Sequence, residues 1–290
     1  MSIIAVTGAS GNLGQATVEF LVKRGVRPED VVLVVRDAAK VQHLAARGLK
    51  VRQGDYTDAA SLQKCFEGID KLLFISTSAL GEERMRHHRN VVTAARAAAV
   101  GHILYTSVIK PAASAAFPPT PGHFQTEALI RESKLPYSFF RNNLYMELVP
   151  LLFSGAAESG ILMSCAGTGR IGFVTRLDIA EGLAVALTSS KSLRSTYDIT
   201  CSRSPYTLAE VAAFLGDTSG RSVKYVNVTA EEFRRTLTGH GLPAEVVAFS
   251  VALGEAMRAG EFDASSLDLQ TLLQRKPTEL ATFQPPVGAS

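Results

Sequence analysis

The sequence is poor in cysteine. Its three cysteines, Cys65, Cys165 and Cys201, are odd in number, far apart and without a C-x-x-C spacing. They therefore indicate neither a disulfide framework nor a zinc site. A reducing cytoplasm is the predicted compartment.

An excess of charge is also missing, because 30 Lys and Arg residues nearly balance 27 Asp and Glu residues for a net charge of +3. The basic residues are dispersed, so neither nucleic acid nor a membrane surface is a predicted partner. No apolar run approaches the length that spans a bilayer, so insertion into a membrane is not predicted. The sequence enters a predicted strand directly, without the features of a signal peptide, so secretion is not predicted either. The 290 residues suit one large or two smaller domains.

The most informative motif is a glycine-rich turn between the first predicted strand, residues 3–6, and the first predicted helix, residues 15–26. Gly8 permits a tight turn, Gly11 lets backbone N–H groups approach a phosphate, and Gly14 lets the helix pack against the strand. The positive helix N-terminus would then hold an anion. The motif therefore predicts a dinucleotide site, although a glycine triplet alone could be an ordinary strand-to-helix turn.

The end of the next predicted strand, residues 31–35, selects between the two nicotinamide cofactors. An acidic residue there would accept from the ribose 2′-hydroxyl, whereas Arg36 offers a cationic fork that suits a 2′-phosphate. Lys40 adds a second positive charge one helical turn later. NADP(H) is thus favoured over NAD(H). The alternatives are that both cations are simply solvated, or that Asp37 pairs with one of them.

Strands and helices alternate through the first half of the chain. Further strands are predicted at residues 50–54, 71–76, 102–107 and 137–141, with helices at 61–68, 82–100 and 122–134. This alternation predicts an α/β fold, a Rossmann-like doubly wound parallel sheet with helices on both faces. Ligands in such folds bind at the carboxyl ends of the strands.

After residue 145 this rhythm changes. We predict an NADP-binding Rossmann domain over residues 1–145 to which the chain returns over residues 171–200. Residues 146–170 and 201–290 are predicted to form a smaller α+β lobe that binds the substrate and covers the cofactor cleft. The tail, residues 284–290, is predicted to be loose.

The catalytic pair of ordinary short-chain dehydrogenases is missing. That pair is Tyr-x-x-x-Lys on the helix after the fifth strand, where the two side chains share one helical face. Here the same spacing is occupied by His123 and Glu127, and Tyr105 and Lys110 stand at the wrong interval. Ordinary alcohol oxidation, epimerisation and dehydration are therefore disfavoured.

Several short motifs together carry a family resemblance. They are T-G-A-S-G-N-L-G, V-V-R-D followed by Lys40, Q-G-D-Y-T-D, I-S-T-S, H-R-N-V-V, Y-T-S, H-x-x-T-E, and R-N shortly before L-Y-M-E. The chain resembles the NmrA-like atypical short-chain dehydrogenases/reductases, and within them the bacterial branch of NADPH:quinone oxidoreductases and triphenylmethane reductases. It departs from that branch at Asn143-Leu144, where relatives often carry Gly-Trp, and at Leu148, where some carry Asn.

The resemblance implies a monomer or homodimer that binds NADPH and needs neither flavin nor metal. It implies these cofactor contacts: Gly8, Ser10, Gly11, Asn12, Leu13 and Gly14 at the pyrophosphate, Arg36 with Lys40 at the 2′-phosphate, Asp55 and Tyr56 at the adenine, and Ser76, Thr77, Ser78, Ser107 and Asn142 towards the nicotinamide. The substrate would lie between the nicotinamide and Tyr145, and protons would come from water or His123.

The expected function is hydride transfer from NADPH to a quinone or a similar conjugated aromatic acceptor, which needs orientation more than acid–base catalysis. A triarylmethane or azo dye reductase is the nearest alternative, and a non-catalytic NADP(H)-sensing regulator is a second one. His123 could instead cap its own helix, and Tyr145 could be a core residue.

Overall fold

The computed structural model describes residues 2–153, 155–190 and 196–284. Its strands, in chain order, are β1 (Ile4–Thr7), β2 (Val31–Val35), β3 (Lys50–Gln53), β4 (Lys71–Phe74), β5 (His102–Val108), β6 (Tyr137–Asn142), β7 (Ile161–Ser164), β8 (Arg170–Ile171), β9 (Thr196–Ile199), β10 (Tyr206–Thr207) and β11 (Lys224–Asn227). Its α-helices are α1 (Asn12–Lys23), α2 (Gln42–Ala45), α3 (Ala59–Phe66), α4 (Gly81–Ala97), α5 (Thr120–Glu132), α6 (Val149–Leu152), α7 (Ala156–Ser159), α8 (Arg176–Thr188), α9 (Leu208–Ser219), α10 (Ala230–Gly239), α11 (Ala244–Arg258) and α12 (Asp268–Leu273).

Seven strands form one parallel sheet in the order β3-β2-β1-β4-β5-β6-β9. The strand order reverses between β1 and β4, where the carboxyl ends of strands leave a crevice for a ligand. The predicted Rossmann-like α/β fold is confirmed. The tail beyond residue 284 lies outside the described residues.

Both faces of this sheet are buried, which explains the continuous apolar run of β2. Alternate strand residues point to opposite faces, so that Val6 packs with α1, α8 and α12, whereas Ala5 packs with α3, α4 and α5. Helix α8 packs over the sheet and β9 lies at its edge. The return of the chain to the first domain over residues 171–200 stays a prediction.

The chain builds a second core outside this sheet. The pairs β7–β11 and β8–β10 pack with α9 and α11 around buried aromatic residues such as Phe173, Tyr206 and Phe262. Sequence patterns did not predict β8 and β10, because two-residue strands have no period to detect. The boundaries of the two predicted domains stay a prediction.

The first helix begins at Asn12, three residues before its predicted start. The glycine turn therefore continues directly into helical backbone, with Gly11 at the N-cap and Gly14 inside the first turn. No helix among the described residues is long and apolar enough to cross a membrane.

Asn143 joins the sheet to the second core. Its side chain is buried, and its amide nitrogen lies 3.1 Å from Thr200 Oγ1 and 2.9 Å from the carbonyl oxygen of Phe262. Its Oδ1 accepts the backbone N–H of Leu144 at 2.8 Å.

We expect Asn143→Leu to lower the free energy of unfolding by about 2–4 kcal/mol, because it leaves several buried polar groups without partners. Urea denaturation measures the change. The exposed control Gln63→Leu should alter it by less than about 0.5 kcal/mol. Equal losses in the two variants would contradict the role of Asn143.

Candidate active site

The glycine turn forms a cradle at the start of α1. Gly8 has a left-handed backbone with φ +61°, and its carbonyl accepts the Gly11 N–H at 2.9 Å. A Cβ on Gly14 would collide with that carbonyl and lie 2.8 Å from Ala9 Cα. Gly11 is the N-cap of α1, no side chain caps this helix end, and its first turn has no acidic residue. The turn therefore has the room and the free N–H groups that a pyrophosphate requires.

The other residues predicted at this turn contribute differently. Asn12 is exposed and Ser10 is half-buried, so both are accessible beside the cradle. The Leu13 side chain is buried in the core under the sheet, so only its backbone can take part in phosphate binding.

Arg36 and Lys40 are exposed just beyond the end of β2. Asp37 accepts the Ala39 backbone N–H at 3.0 Å and so caps its own turn. Within the parts of the chain that are described, none of these three residues forms an ion pair. Both cations therefore stay available for an anionic ligand.

Asp55 and Tyr56 follow β3. Hydrogen bonds from Thr57 to Asp55 Oδ1 hold the pKa of this carboxyl below its ordinary value. The Tyr56 hydroxyl lies 2.6 Å from Thr7 Oγ1 and 2.7 Å from the carbonyl oxygen of Ile75, and thus links the ends of β1 and β4. Its hydroxyl is already engaged, so contact of Tyr56 with adenine stays a prediction that concerns its ring and backbone.

The segment after β4 contains Ser76, Thr77 and Ser78. Ser76 N–H donates to Thr106 Oγ1 at 2.9 Å, which ties this segment to β5. Ser76 and Thr77 are half-buried, whereas Ser78 is exposed. The backbone of this segment is therefore held in place from the neighbouring strand.

Arg84 of α4 holds the same segment by hydrogen bonds to its backbone. This arginine is only 4% exposed and donates to the carbonyl oxygens of Thr77 and Ala79 at 2.9 and 2.8 Å. Its Nη1 also lies 2.8 Å from His123 Nε2, while His123 Nδ1 lies 2.7 Å from the Tyr105 hydroxyl. Because a guanidinium can only donate, Nε2 accepts and the proton of His123 is on Nδ1.

His123 is consequently neutral and enclosed. Its pKa lies well below the ordinary value, first because the ring is buried and then because Arg84 is near. A ring with both nitrogens engaged has no proton to offer a ligand. The predicted catalytic role of His123 stays untested, and its environment favours a positioning role.

His88 is arranged in the same way. The Thr77 N–H donates to His88 Nε2 at 3.1 Å, so the proton lies on Nδ1, which is 2.8 Å from Thr126 Oγ1. Burial is the first cause that lowers its pKa well below the ordinary value. The fold therefore contains two neutral histidines beneath the carboxyl edge of the sheet.

These two histidines predict acid sensitivity. In the unfolded chain each histidine takes up a proton below pH about 6.5, whereas in the folded chain each stays neutral. Their contribution to the free energy of unfolding is therefore complete above that pH and is lost below it.

Between pH 7.5 and 5.5 we expect the free energy of unfolding to fall by about 2–3 kcal/mol. Urea denaturation at both values measures it. The exposed control His240→Gln should show the same fall, whereas His123→Asn should show a smaller one; His102, whose pKa is also lowered by burial, contributes to the fall in every variant. Equal stability of the unsubstituted protein at both pH values would contradict the assignment.

Glu127, at the spacing of the usual catalytic lysine, is a buried carboxylate. Arg141 donates to Oε1 at 2.9 Å and to Oε2 at 2.8 Å, and Arg131 donates to Oε2 at 2.9 Å. The Ser107 hydroxyl donates to Oε1 at 2.8 Å. Sequence reasoning missed this cluster, because Arg141 and Ser107 lie on other elements and meet Glu127 only in the folded chain. The spacing of Glu127 and Arg131, four residues apart on α5, was the available signal.

Tyr145 follows β6 and is half-buried. Asn142 Nδ2 lies 3.4 Å from its hydroxyl, and the Arg176 guanidinium lies 5.1 Å from its ring centre. Burial is the first cause that raises the pKa of this hydroxyl, which therefore stays protonated. Because the oxygen accepts from Asn142, the hydrogen of Tyr145 remains free to donate.

The structure thus brings Asn142 and Tyr145 together at the end of β6. The Ser107 side chain points to the other face of the sheet, towards α5, where Tyr105 contacts His123. Arg36 and Lys40 stand across the sheet, beyond the glycine turn. A separate groove of about 780 Å³ lies between the first turns of α4 and α5 and contains none of the predicted site residues. Within residues 2–153, 155–190 and 196–284, no group of three or more His, Cys, Asp or Glu side chains could hold a metal ion.

The chain matches the NmrA-like family over residues 1–284. It is 37% identical to quinone oxidoreductase 2 of Escherichia coli (strain K12) over 282 residues, 96% of each chain. The crystal structure of an NADPH-dependent quinone oxidoreductase from E. coli complexed with NADPH superimposes with a TM-score of 0.89 at 34% identity, covering 96% of this chain and 97% of the other. The Citrobacter sp. triphenylmethane reductase complexed with NADP(H) gives a TM-score of 0.85 at 35% identity, with the same coverage. These matches confirm the resemblance seen in the motifs. The chain is a member of the NmrA-like family.

Proposed function

We propose that this protein is an NADPH-dependent oxidoreductase that transfers hydride directly to a quinone or a similar conjugated acceptor, without flavin or metal. One observation carries the proposal. His123 and Glu127 occupy the positions of the usual catalytic tyrosine and lysine, and the side chains of both are engaged in buried hydrogen bonds. Such a site can orient an acceptor, yet it lacks the pair that activates an ordinary carbonyl.

The cofactor would be held by groups that the structure leaves available. The cradle of Gly8, Gly11 and Gly14 would take the pyrophosphate, and Arg36 with Lys40 would take the 2′-phosphate. When bound, NADPH supplies the hydride from its nicotinamide ring. The relatives that contain NADPH or NADP(H) in their crystal structures support this assignment.

The protein's own residues then have few tasks. Arg84 fixes the segment of Thr77, which shapes the edge of the cleft. Tyr145 presents an aromatic ring and a protonated hydroxyl to the cleft. Because a quinone is already a strong hydride acceptor, orientation in a dry pocket supplies most of the rate enhancement. A cationic triarylmethane dye needs no proton, so the same site suits it.

Two other functions are separable by experiment. The triphenylmethane reductase relationship favours a dye reductase as the second candidate. Steady-state oxidation of NADPH and NADH with benzoquinone, naphthoquinone, triarylmethane and azo acceptors ranks these substrates. Tight NADPH binding with no turnover on any acceptor would contradict the proposal and favour a regulatory sensor. The homodimer and the cytoplasmic location stay predictions.

We expect Tyr145→Phe to lower kcat about ten-fold with quinones, because the variant loses a positioned proton donor. With a cationic triarylmethane dye kcat should stay nearly unchanged, because the ring is kept and no proton is needed. Steady-state kinetics with both acceptors measure the difference. An equal loss with both acceptors would contradict the role of the Tyr145 hydroxyl as a proton donor.

A further inference from the structure

Arg84 of α4 is a buried cation without an anionic partner. Three of its N–H groups donate to neutral acceptors, which are the carbonyl oxygens of Thr77 and Ala79 and the Nε2 atom of His123. No carboxylate pairs with it within the part of the chain that the structure describes. Because an arginine side chain stays protonated in proteins, the fold encloses a full positive charge here. A buried charge that no partner neutralises is costly, which points to a role in function.

The surroundings of Arg84 do not compensate this charge. His88 and His123 are neutral, and Arg84 is the second cause, after burial, that lowers their pKa. Glu127, the buried carboxylate of α5, already pairs with two other arginines. Helix α5 packs directly on the Arg84 side chain, because a Cβ on Gly122 would lie 2.6 Å from Arg84 Cδ. With little water and no counter-ion beside it, the field of this charge is screened only weakly.

Arg84 lies next to the segment that follows β4. It donates to the Thr77 carbonyl oxygen at 2.9 Å, while the N–H of Thr77 donates to His88 at 3.1 Å. The guanidinium therefore contacts this segment from its buried side, whereas Ser78 is exposed. Strand β4 stands beside β1 where the strand order reverses, so the segment borders the ligand crevice. The charge thus lies at one edge of that crevice.

The two redox states of the cofactor differ in charge at the nicotinamide ring. The oxidised ring is a cation and the reduced ring is neutral, so a fixed positive charge nearby weakens the binding of NADP⁺ and not that of NADPH. We propose that the buried charge of Arg84 makes the site prefer NADPH to NADP⁺ and favours release of the oxidised cofactor after hydride transfer. This inference rests on the proposed function, which brings the nicotinamide to the cleft that Thr77 borders.

The effect of Arg84 on the transfer step itself is smaller than its effect on binding. When hydride leaves with its electron pair, neutral NADPH becomes the NADP⁺ cation and the quinone becomes a hydroquinone anion. Arg84 disfavours the first charge and stabilises the second, so the two effects oppose each other. The full effect therefore appears when the two forms of the cofactor bind without an acceptor.

The test is the ratio of the dissociation constant of NADP⁺ to that of NADPH, measured by titration calorimetry without an acceptor. In the unsubstituted protein NADPH should bind more tightly. Arg84→Met should lower the ratio about 5- to 15-fold, the effect of one charge over roughly 10–15 Å at an effective dielectric constant of about 20. Looser packing of the segment weakens both ligands and cancels in the ratio. Arg86→Met, which removes an exposed cation from the same helix, should leave the ratio unchanged.

A matched pair of variants at position 123 isolates the charge. In His123→Gln the amide can take both roles of the imidazole, because its oxygen can accept from Arg84 and its N–H₂ can donate to Tyr105. The ratio should then be retained. His123→Glu instead places a carboxylate beside Arg84 and neutralises the charge without removing it, so the ratio should fall as in Arg84→Met. This pair decides the outcome if Arg84→Met does not fold.

Three results would overturn the inference. They are equal ratios in His123→Glu and His123→Gln, an equal fall of the ratio in Arg86→Met and Arg84→Met, or binding of NADP⁺ as tight as that of NADPH in the unsubstituted protein. In each case turnover of quinones with NADPH would leave the proposed function standing. A protein that binds neither form of the cofactor would overturn both.

Discussion

Arg36→Ala is expected to reduce the ratio of kcat/KM for NADPH to that for NADH by about 10- to 100-fold, the loss expected for charge-assisted hydrogen bonds to a phosphate. The reason is that Arg36 is exposed at the end of β2, while Asp37 is engaged with the Ala39 N–H. Values for NADH should change little, because NADH lacks the 2′-phosphate. Steady-state kinetics with both cofactors measure the ratio.

Two companion variants sharpen this result. Lys40→Ala should have a smaller effect, because Lys40 is a point charge one turn further along the chain. Arg89→Ala removes an exposed arginine from α4 and should leave the ratio unchanged. An unchanged cofactor preference in Arg36→Ala would refute the assignment of the 2′-phosphate site.

Gly14→Ala is expected to weaken NADPH binding by about 100-fold or more and to lower the free energy of unfolding by about 1–3 kcal/mol. The new Cβ would collide with the Gly8 carbonyl and lie 2.8 Å from Ala9 Cα, so the turn must open. Opening it moves the N–H groups that would hold the pyrophosphate. Titration calorimetry and urea denaturation measure the two effects.

Gly239→Ala is the matched control, because no atom lies within 4 Å of a Cβ built at that position in α10. It should leave both quantities nearly unchanged. Tight NADPH binding by Gly14→Ala would show that the turn at the start of α1 is not the pyrophosphate site.

Local features of the sequence predicted the parts of the structure that local forces determine. The glycine turn, the apolar strand β2 and the cations after it lie within the first 40 residues, and neighbours in the chain decide their conformation. The fold follows from the alternation of strands and helices, because short parallel connections allow few arrangements. These elements were predicted with errors of only a few residues at their ends.

The hydrogen-bond clusters beneath the site could not be predicted in this way. Arg84 resembles a solvated residue in the charged start of α4, and its burial against His123 depends on how α4 packs beside α5. Glu127 likewise meets Arg141 only because β6 and α5 are neighbours in the fold. Sequence spacing identified His123 and Glu127 as unusual, whereas their partners required tertiary packing.

The most direct test of hydride transfer is a single-turnover experiment with the flavin-free protein. The protein is loaded with NADPH, or with NADPH deuterated at nicotinamide C4, and mixed rapidly with naphthoquinone. We predict oxidation of the bound NADPH in one phase, slower with the deuterated cofactor, because the bond to that hydrogen breaks in the measured step. NADPH that stays bound and unoxidised, or oxidation that requires added flavin, would contradict direct transfer.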